Sequence, residues 1–157
     1  MIMDKYVFDT GVWIDLFKHY PETTFSGLWK NFENLLSQQR VLSSSEVLRE
    51  LKSHEDMVYK KAKDIDHIFT KPTIEEMKLI KELVNKYPYL ISARNINNGL
   101  PVADCHVLAL AKISSAIVVT TERFKPHSQK IPNICEKLGV RCLDLHKLFE
   151  KEKWKFN

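Results

Sequence analysis

The chain predicts an α/β fold with three layers, α/β/α, around a central, mainly parallel sheet. Three observations predict it. Short apolar runs that read as buried strands alternate with longer segments whose apolar residues recur at helical spacing. The clearest run, Ala116-Ile117-Val118-Val119-Thr120, is uniformly apolar and β-branched, the pattern of a strand covered on both faces of a parallel sheet. Glycine is scarce, at four in 157 residues, and proline modest at six, which disfavours a turn-rich all-β fold and long disordered linkers.

The elements follow in order. Tyr6-Val7-Phe8 reads as a buried strand ending at Asp9-Thr10-Gly11. Val12 to Tyr20 reads as a short helix stopped before Pro21. Leu28, Phe32, Leu35 and Leu36 recur at helical spacing and predict a second helix over 26–39. A brief strand-like run, Arg40 to Ser43, leads into Ser43 with Glu46, which matches a capping box for a helix through Lys52. Two more helices are expected, roughly 56–69 and 74–86, the second capped by Thr73 with Glu76. The stretch from Tyr87 to Gly99 carries Pro88, three asparagines and a glycine, and reads as a loop. Pro101 to Asp104 reads as a helix start. After the strand at Ala116–Thr120 come a short helix through Ile134 and Leu138, ended by Gly139, a last strand from Val140 to Leu145, and a C-terminal helix. No internal repeat or low-complexity tract appears. A length of 157 residues suits one domain, 1–157, able to bury ~70% of its unfolded surface without staples.

Composition bounds the function. Hydrophobic residues make up 44% and charged residues 28%, ordinary for a soluble globular chain. The net charge of +4 permits contact with a polyanion without demanding it. Cys105, Cys135 and Cys142 form no C-x-x-C pair, which fits buried thiols in a reducing cytoplasm. No 18-residue apolar run exists, so no transmembrane helix is expected, and the segment before Asp9 is too short and too soon acidic for a signal peptide.

The chemistry lies in four carboxylates. In open parallel sheets, ligands gather at the carboxyl ends of strands. Asp9 follows the first strand and Glu122 follows the strand ending near Thr120, while Glu46 and Asp104 each sit in the first turn of a helix starting at that edge. Each acid alone has an ordinary reading: a turn residue, a capping partner, a complement to a helix dipole, a solvated loop acid. Their joint placement is what points to a site. Clustered carboxylates repel, and a hard divalent cation relieves the repulsion, so Mg²⁺ or Mn²⁺ is the expected ion. No His/Cys set has zinc spacing. His106 falls on a different side of its helix from Asp104. Arg94, Arg123, Lys125 and Lys130 are candidate phosphate contacts. Trp13, Trp29 and Phe25 read as core or interface, and the lysine-rich end as a solvated helix face.

These motifs resemble those of PIN domains. Tyr6 through Ile14 is similar to their opening strand and Asp-Thr turn, Ser45 through Leu51 to their early glutamate helix, Ala103 through Ala111 to their central aspartate helix, and Val118 through Phe124 to the strand and Thr-x-acid turn that follow. The ending, Ile131-Pro132-Asn133 through the strand at Val140 to Leu145, also matches. The resemblance covers nearly the whole chain in the expected order and is closest to a bacterial or archaeal branch related to VapC-type toxins. Gly11 stands where many relatives carry Asn or Ser, and Glu122 where Asp is commoner.

The resemblance implies a metal-dependent endoribonuclease, the toxin of a toxin–antitoxin pair. Asp9 and Asp104 would be the main metal ligands, and Glu46 and Glu122 would hold a second ion or orient water. Glu50, one helical turn from Glu46, is the alternative acid. Thr120 would either position a carboxylate or a phosphate through its hydroxyl or only pack as a β-branched strand residue. The implied partners are RNA, an antitoxin covering the acidic site with an arginine, and a second copy of the chain. Two other functions compete: a degenerate PIN-fold binding module, and a haloacid-dehalogenase-like phosphatase, which would want an acid where Gly11 stands.

Overall fold

Five parallel strands run side by side in the order β3-β2-β1-β4-β5. The computed structural model describes residues 3–88 and 103–156. The chain runs β1 (Tyr6–Phe8), α1 (Thr10–His19), α2 (Ser26–Ser37), β2 (Val41–Ser44), α3 (Ser45–His54) and α4 (Asp56–Lys63). A 3-10 turn (Asp66–Ile68), β3 (Phe69–Thr70) and α5 (Ile74–Lys86) follow. Beyond the undescribed stretch come α6 (Asp104–Ser114), β4 (Ile117–Val119), α7 (Ile131–Leu138), β5 (Cys142–Leu143) and α8 (Leu145–Lys151). The loop expected at Tyr87 to Gly99 lies almost wholly outside the described residues, as do Arg94 and the helix start expected at Pro101.

The registers are Tyr6 with Val41 on one side of β1 and with Ile117 on the other. Every residue of β1 and β4 is buried although successive side chains point to opposite faces, so helices cover both faces of the sheet. α6, rich in small and branched apolar residues, lies against β1, β2 and β4. An aromatic cluster joins the sheet to α1 and α2: the Phe8 and Trp13 ring centroids are 5.1 Å apart, and those of Phe17 and Trp29 5.2 Å. Trp13 is fully buried and Trp29 nearly so, the core role expected of them. At the amino edge of the sheet, the half-buried Arg40–Glu152 pair (2.7 Å) ties the start of β2 to the end of α8, and the Tyr6 hydroxyl donates to Glu152.

Several local expectations need correction. The helix expected over 56–69 ends at Lys63, and the chain then makes a 3-10 turn and a fifth strand, β3, only two residues long. The cap of α3 is Ser44, whose hydroxyl accepts from Glu46 N at 3.1 Å. Ser43 is a strand residue instead. Its hydroxyl donates to Phe8 O at 2.9 Å and accepts from Trp13 Nε1, tying α1 to the β1–β2 pair. The last strand shrinks to Cys142–Leu143. The Thr73–Glu76 capping box forms as expected, and Gly139 closes α7 at φ 70°, a left-handed conformation. Among the described residues, no helix is long and apolar enough to cross a membrane.

Candidate active site

The strand order makes a crevice. From β1 the chain steps outward through β2 and β3, then returns to the other side of β1 for β4 and β5. The reversal falls between β1 and β4, the position at whose carboxyl edge ligands bind in such sheets. Asp9 leaves β1 there, and Thr120 leaves β4. Asp9 N donates to Val119 O at 3.0 Å, closing the two strand ends together. The Asp9 carboxylate serves α1 as its N-cap, accepting from Thr10 N at 2.7 Å through Oδ1. Through Oδ2 it accepts from the Thr120 hydroxyl at 3.0 Å. Thr120 is 1% exposed and Asp9 6%, so the pair is buried. The expectation that Thr120 would position a carboxylate thus has its geometry.

Asp104 opens α6, and its carboxyl is pushed up to about 8, first by burial and then by the charges of Asp9, Glu122 and Glu50. Asp9 rises to about 6, through burial, with a smaller push from Glu122; its bonds from Thr10 and Thr120 work the other way. The third member from the early helix is Glu50. Burial and the charge of Asp9 raise it to about 7, partly offset by the Ala103 backbone N–H and the Thr10 hydroxyl. The Thr10 oxygen is itself buried without a hydrogen-bond partner of normal geometry, so a polar atom stands ready beside Glu50.

Glu46 stands one turn away from this group. Its Oε1 accepts from Arg49 at 2.9 Å, and its charge is felt at both Glu50 and His106. Glu122 belongs electrostatically to the cluster, yet Oε2 accepts from Ile131 N at 2.8 Å and so caps the start of α7. Its own backbone N donates to the Thr120 hydroxyl at 3.2 Å. Thr120 is therefore the hinge of the site, bound to Asp9 on one side and to the Glu122 turn on the other. Burial lowers the pKa of His106, and the charges of Glu46, Glu76 and Arg49 act on it.

Gly11 has a local reason. A Cβ there would stand 2.4 Å from Thr121 Oγ1, far inside contact distance. The turn after β4 occupies the space where a side chain at position 11 would begin, so Thr121 brings a hydroxyl to that spot. Thr10, Thr121 and Glu50 are the neighbours that sequence reasoning missed or ranked second. Only Glu50 had a signal, its spacing of one helical turn from Glu46.

The donor set fits a hard divalent cation. It consists of carboxylate and hydroxyl oxygens, and three of its acids are held above their ordinary range by burial and mutual repulsion, the penalty that such an ion removes. Among the described residues, no three His, Cys, Asp or Glu side chains stand in a closed ligand set.

A five-stranded parallel sheet flanked by helices, with carboxylates gathered where β1 and β4 end, is a PIN-like fold. The chain belongs to the family described as a domain of unknown function, DUF4411, whose profile matches residues 6–156. It is similar in structure to a chain in the crystal structure of VapBC2 from Rickettsia felis bound to a DNA fragment from their promoter. That likeness has a TM-score of 0.53 at 15% identity and covers 88% of this chain and 97% of the other, so it carries the fold. No curated protein matches the sequence.

Proposed function

We propose that this chain is a Mg²⁺- or Mn²⁺-dependent endoribonuclease that hydrolyses phosphodiester bonds of RNA, and that it acts as the toxin of a toxin–antitoxin pair. The observation that carries the reading is the group of Asp9, Glu50, Asp104 and Glu122, acids from four distant stretches of sequence that interact at the β1–β4 carboxyl edge. The fold likeness to a VapBC2 chain supports the toxin assignment.

In this reading, Asp9 and Asp104 are the principal metal ligands, with Glu50 and Glu122 completing the acidic wall; Glu46 lies behind Glu50, next to Arg49. A bound divalent ion supplies charge neutralisation at the scissile phosphate and activation of water. The chain's own residues do the positioning. Thr120 fixes the Asp9 carboxylate through one oxygen, and Thr10 N fixes it through the other. Burial keeps Asp9, Glu50 and Asp104 reluctant to ionise without a cation, so a bound ion would relieve the strain of gathering them. An antitoxin segment carrying an arginine would satisfy the same acids, and a second copy of the chain is the expected assembly partner.

The test is cleavage of a mixed, structured RNA pool in Mg²⁺, Mn²⁺ or EDTA by the wild type, Asp9→Asn and Glu50→Gln. Metal-dependent cleavage lost in both variants is the expected result. Cleavage in EDTA, or undiminished cleavage by Asp9→Asn at limiting Mg²⁺, overturns the assignment.

A further inference from the structure

A groove of about 660 Å³ opens beside the acidic cluster and shares two residues with it, Thr120 and Glu122. Resting on the nuclease reading above, we propose that this groove and the ridge at Phe124 form a subsite for unpaired RNA, with Phe124 as a base-stacking platform and Arg123 and Lys147 as phosphate contacts.

Three observations carry the inference. First, Phe124 is 54% exposed, and no aromatic ring stacks on it among the described residues. A single exposed apolar side chain is unremarkable on a mobile loop. This loop is pinned. The buried Asn133 accepts from Lys125 N at 3.2 Å and from the Ser128 hydroxyl at 3.0 Å, and donates to Lys125 O at 2.6 Å. The loop around Phe124 is therefore fastened to α7 one residue away from the ring, so its exposure is built in.

Second, Phe124 lines two grooves at once. The larger leads to the acidic site; the other, of about 500 Å³, runs past Pro126, His127 and Lys137. The ring stands on the ridge between them. A single strand crossing that ridge presents one base to the ring and continues toward the carboxylates, and every base has a face to stack.

Third, the charges in the larger groove are sorted. Its acids are engaged: Glu122 accepts from Ile131 N, Asp144 accepts from Lys147 N at 2.8 Å as the cap of α8, and Asp15 is bonded to His19. Arg123 and Lys147 are exposed and form no ion pair among the described residues. The two unpaired cations are the groups in this groove able to hold phosphates, and basic side chains supply most of the affinity for a nucleic-acid backbone. A blunt duplex keeps its bases stacked inside and offers the ring no face.

The test measures binding apart from cleavage. A fluorescein-labelled, single-stranded RNA decamer of mixed sequence is titrated against the Asp104→Asn chain, with Phe124→Ala, Phe124→Trp and Lys147→Ala added in turn. Matching urea midpoints check that each variant is folded. Phe124→Ala is expected to weaken binding about 5- to 160-fold, the worth of one stacked base, while Phe124→Trp retains it. Lys147→Ala is expected to weaken binding and lower the salt dependence by about 0.7, one contact on a single strand. The blunt duplex of the same sequence is expected to bind more weakly and to ignore Phe124→Ala. Unchanged binding by both Phe124→Ala and Lys147→Ala overturns the subsite. If the wild type still cleaves the decamer in Mg²⁺, the nuclease reading survives that loss. A parent chain that neither binds nor cleaves RNA overturns both.

Discussion

If Asp104 is held at about 8, against an ordinary 3.8, the native chain keeps a proton that the unfolded chain releases over the whole range between. Folding then takes up close to one proton at Asp104 between pH 5 and 7.5. Stability without metal must therefore fall as pH rises, by ~1.4 kcal/mol per pH unit for each proton, or about 3 kcal/mol over that interval. The sign follows from the raised value: the contribution is fully present below the unfolded pKa and is lost as pH climbs through the folded one. Glu50, raised to about 7, and Asp9, raised to about 6, act in the same direction, although their mutual repulsion means that the protons are shared and the effects do not add. Asp104→Asn removes the titration at its centre. The variant is expected to lose about 2–4 kcal/mol less than the wild type between pH 5 and 7.5. Comparing slopes rather than absolute stabilities cancels whatever a buried amide costs at position 104. The assay is urea unfolding in EDTA, followed by circular dichroism at half-unit steps of pH. Parallel pH profiles for wild type and variant would refute the argument that the acids are buried against one another. Added Mn²⁺ should flatten the wild-type profile, because an ion bound to the native state replaces the protons.

Two further perturbations separate site from scaffold. Thr120→Val keeps the shape of a buried β-branched strand residue but deletes the hydroxyl that serves Asp9 and the Glu122 turn. It is expected to cost about 1–3 kcal/mol of stability, through unsatisfied buried partners, and to weaken Mn²⁺ binding by calorimetry; unchanged metal affinity would mean that the hydroxyl does not position Asp9. Arg40→Met, at the far edge of the sheet, leaves Glu152 without its guanidinium partner, although burial there is incomplete. Burial alone would raise Glu152, but hydrogen bonds from Arg40 and Tyr6 outweigh it and hold the carboxyl low. The variant is expected to lose about 1–3 kcal/mol at neutral pH, read from its urea midpoint, while the cleavage activity proposed above, per folded molecule, stays as in the wild type.

Much of the fold was legible because its signals are local and redundant. Three β-branched residues at Ile117–Val119 can hardly be anything but a buried strand, and a threonine three residues before a glutamate capped α5 as expected. What escaped reading was decided by tertiary pairing. Phe69–Thr70 is too short for any periodicity and becomes a strand only because Ser43 and Ser44 offer it a parallel edge. The serines themselves illustrate the limit. Ser43 and Ser44 both suit an N-cap, and spacing to Glu46 favoured Ser43. Its hydroxyl was already taken, by Phe8 O and Trp13, because β2 lies beside β1. The cap moved one residue on.

The same reasoning explains the acid of the early helix. Asp9 and Glu122 could be brought to one edge from sequence because parallel strands end together, and β1 and β4 follow from the apolar runs. Glu46 and Glu50 could not be separated that way: four residues apart on a helix, they share a face and differ only in how far along the axis they sit. Distance from the helix start favoured Glu46. The deciding facts are the positions of two other elements, the Thr10 hydroxyl at the start of α1 and the Ala103 backbone N–H at the start of α6, which both meet α3 at Glu50. Glu46 meets Arg49 within its own helix. The two helix starts that face Glu50 also present Asp9 and Asp104, and this shared neighbourhood is why the proposed site takes Glu50 beside them, with Glu46 one turn away.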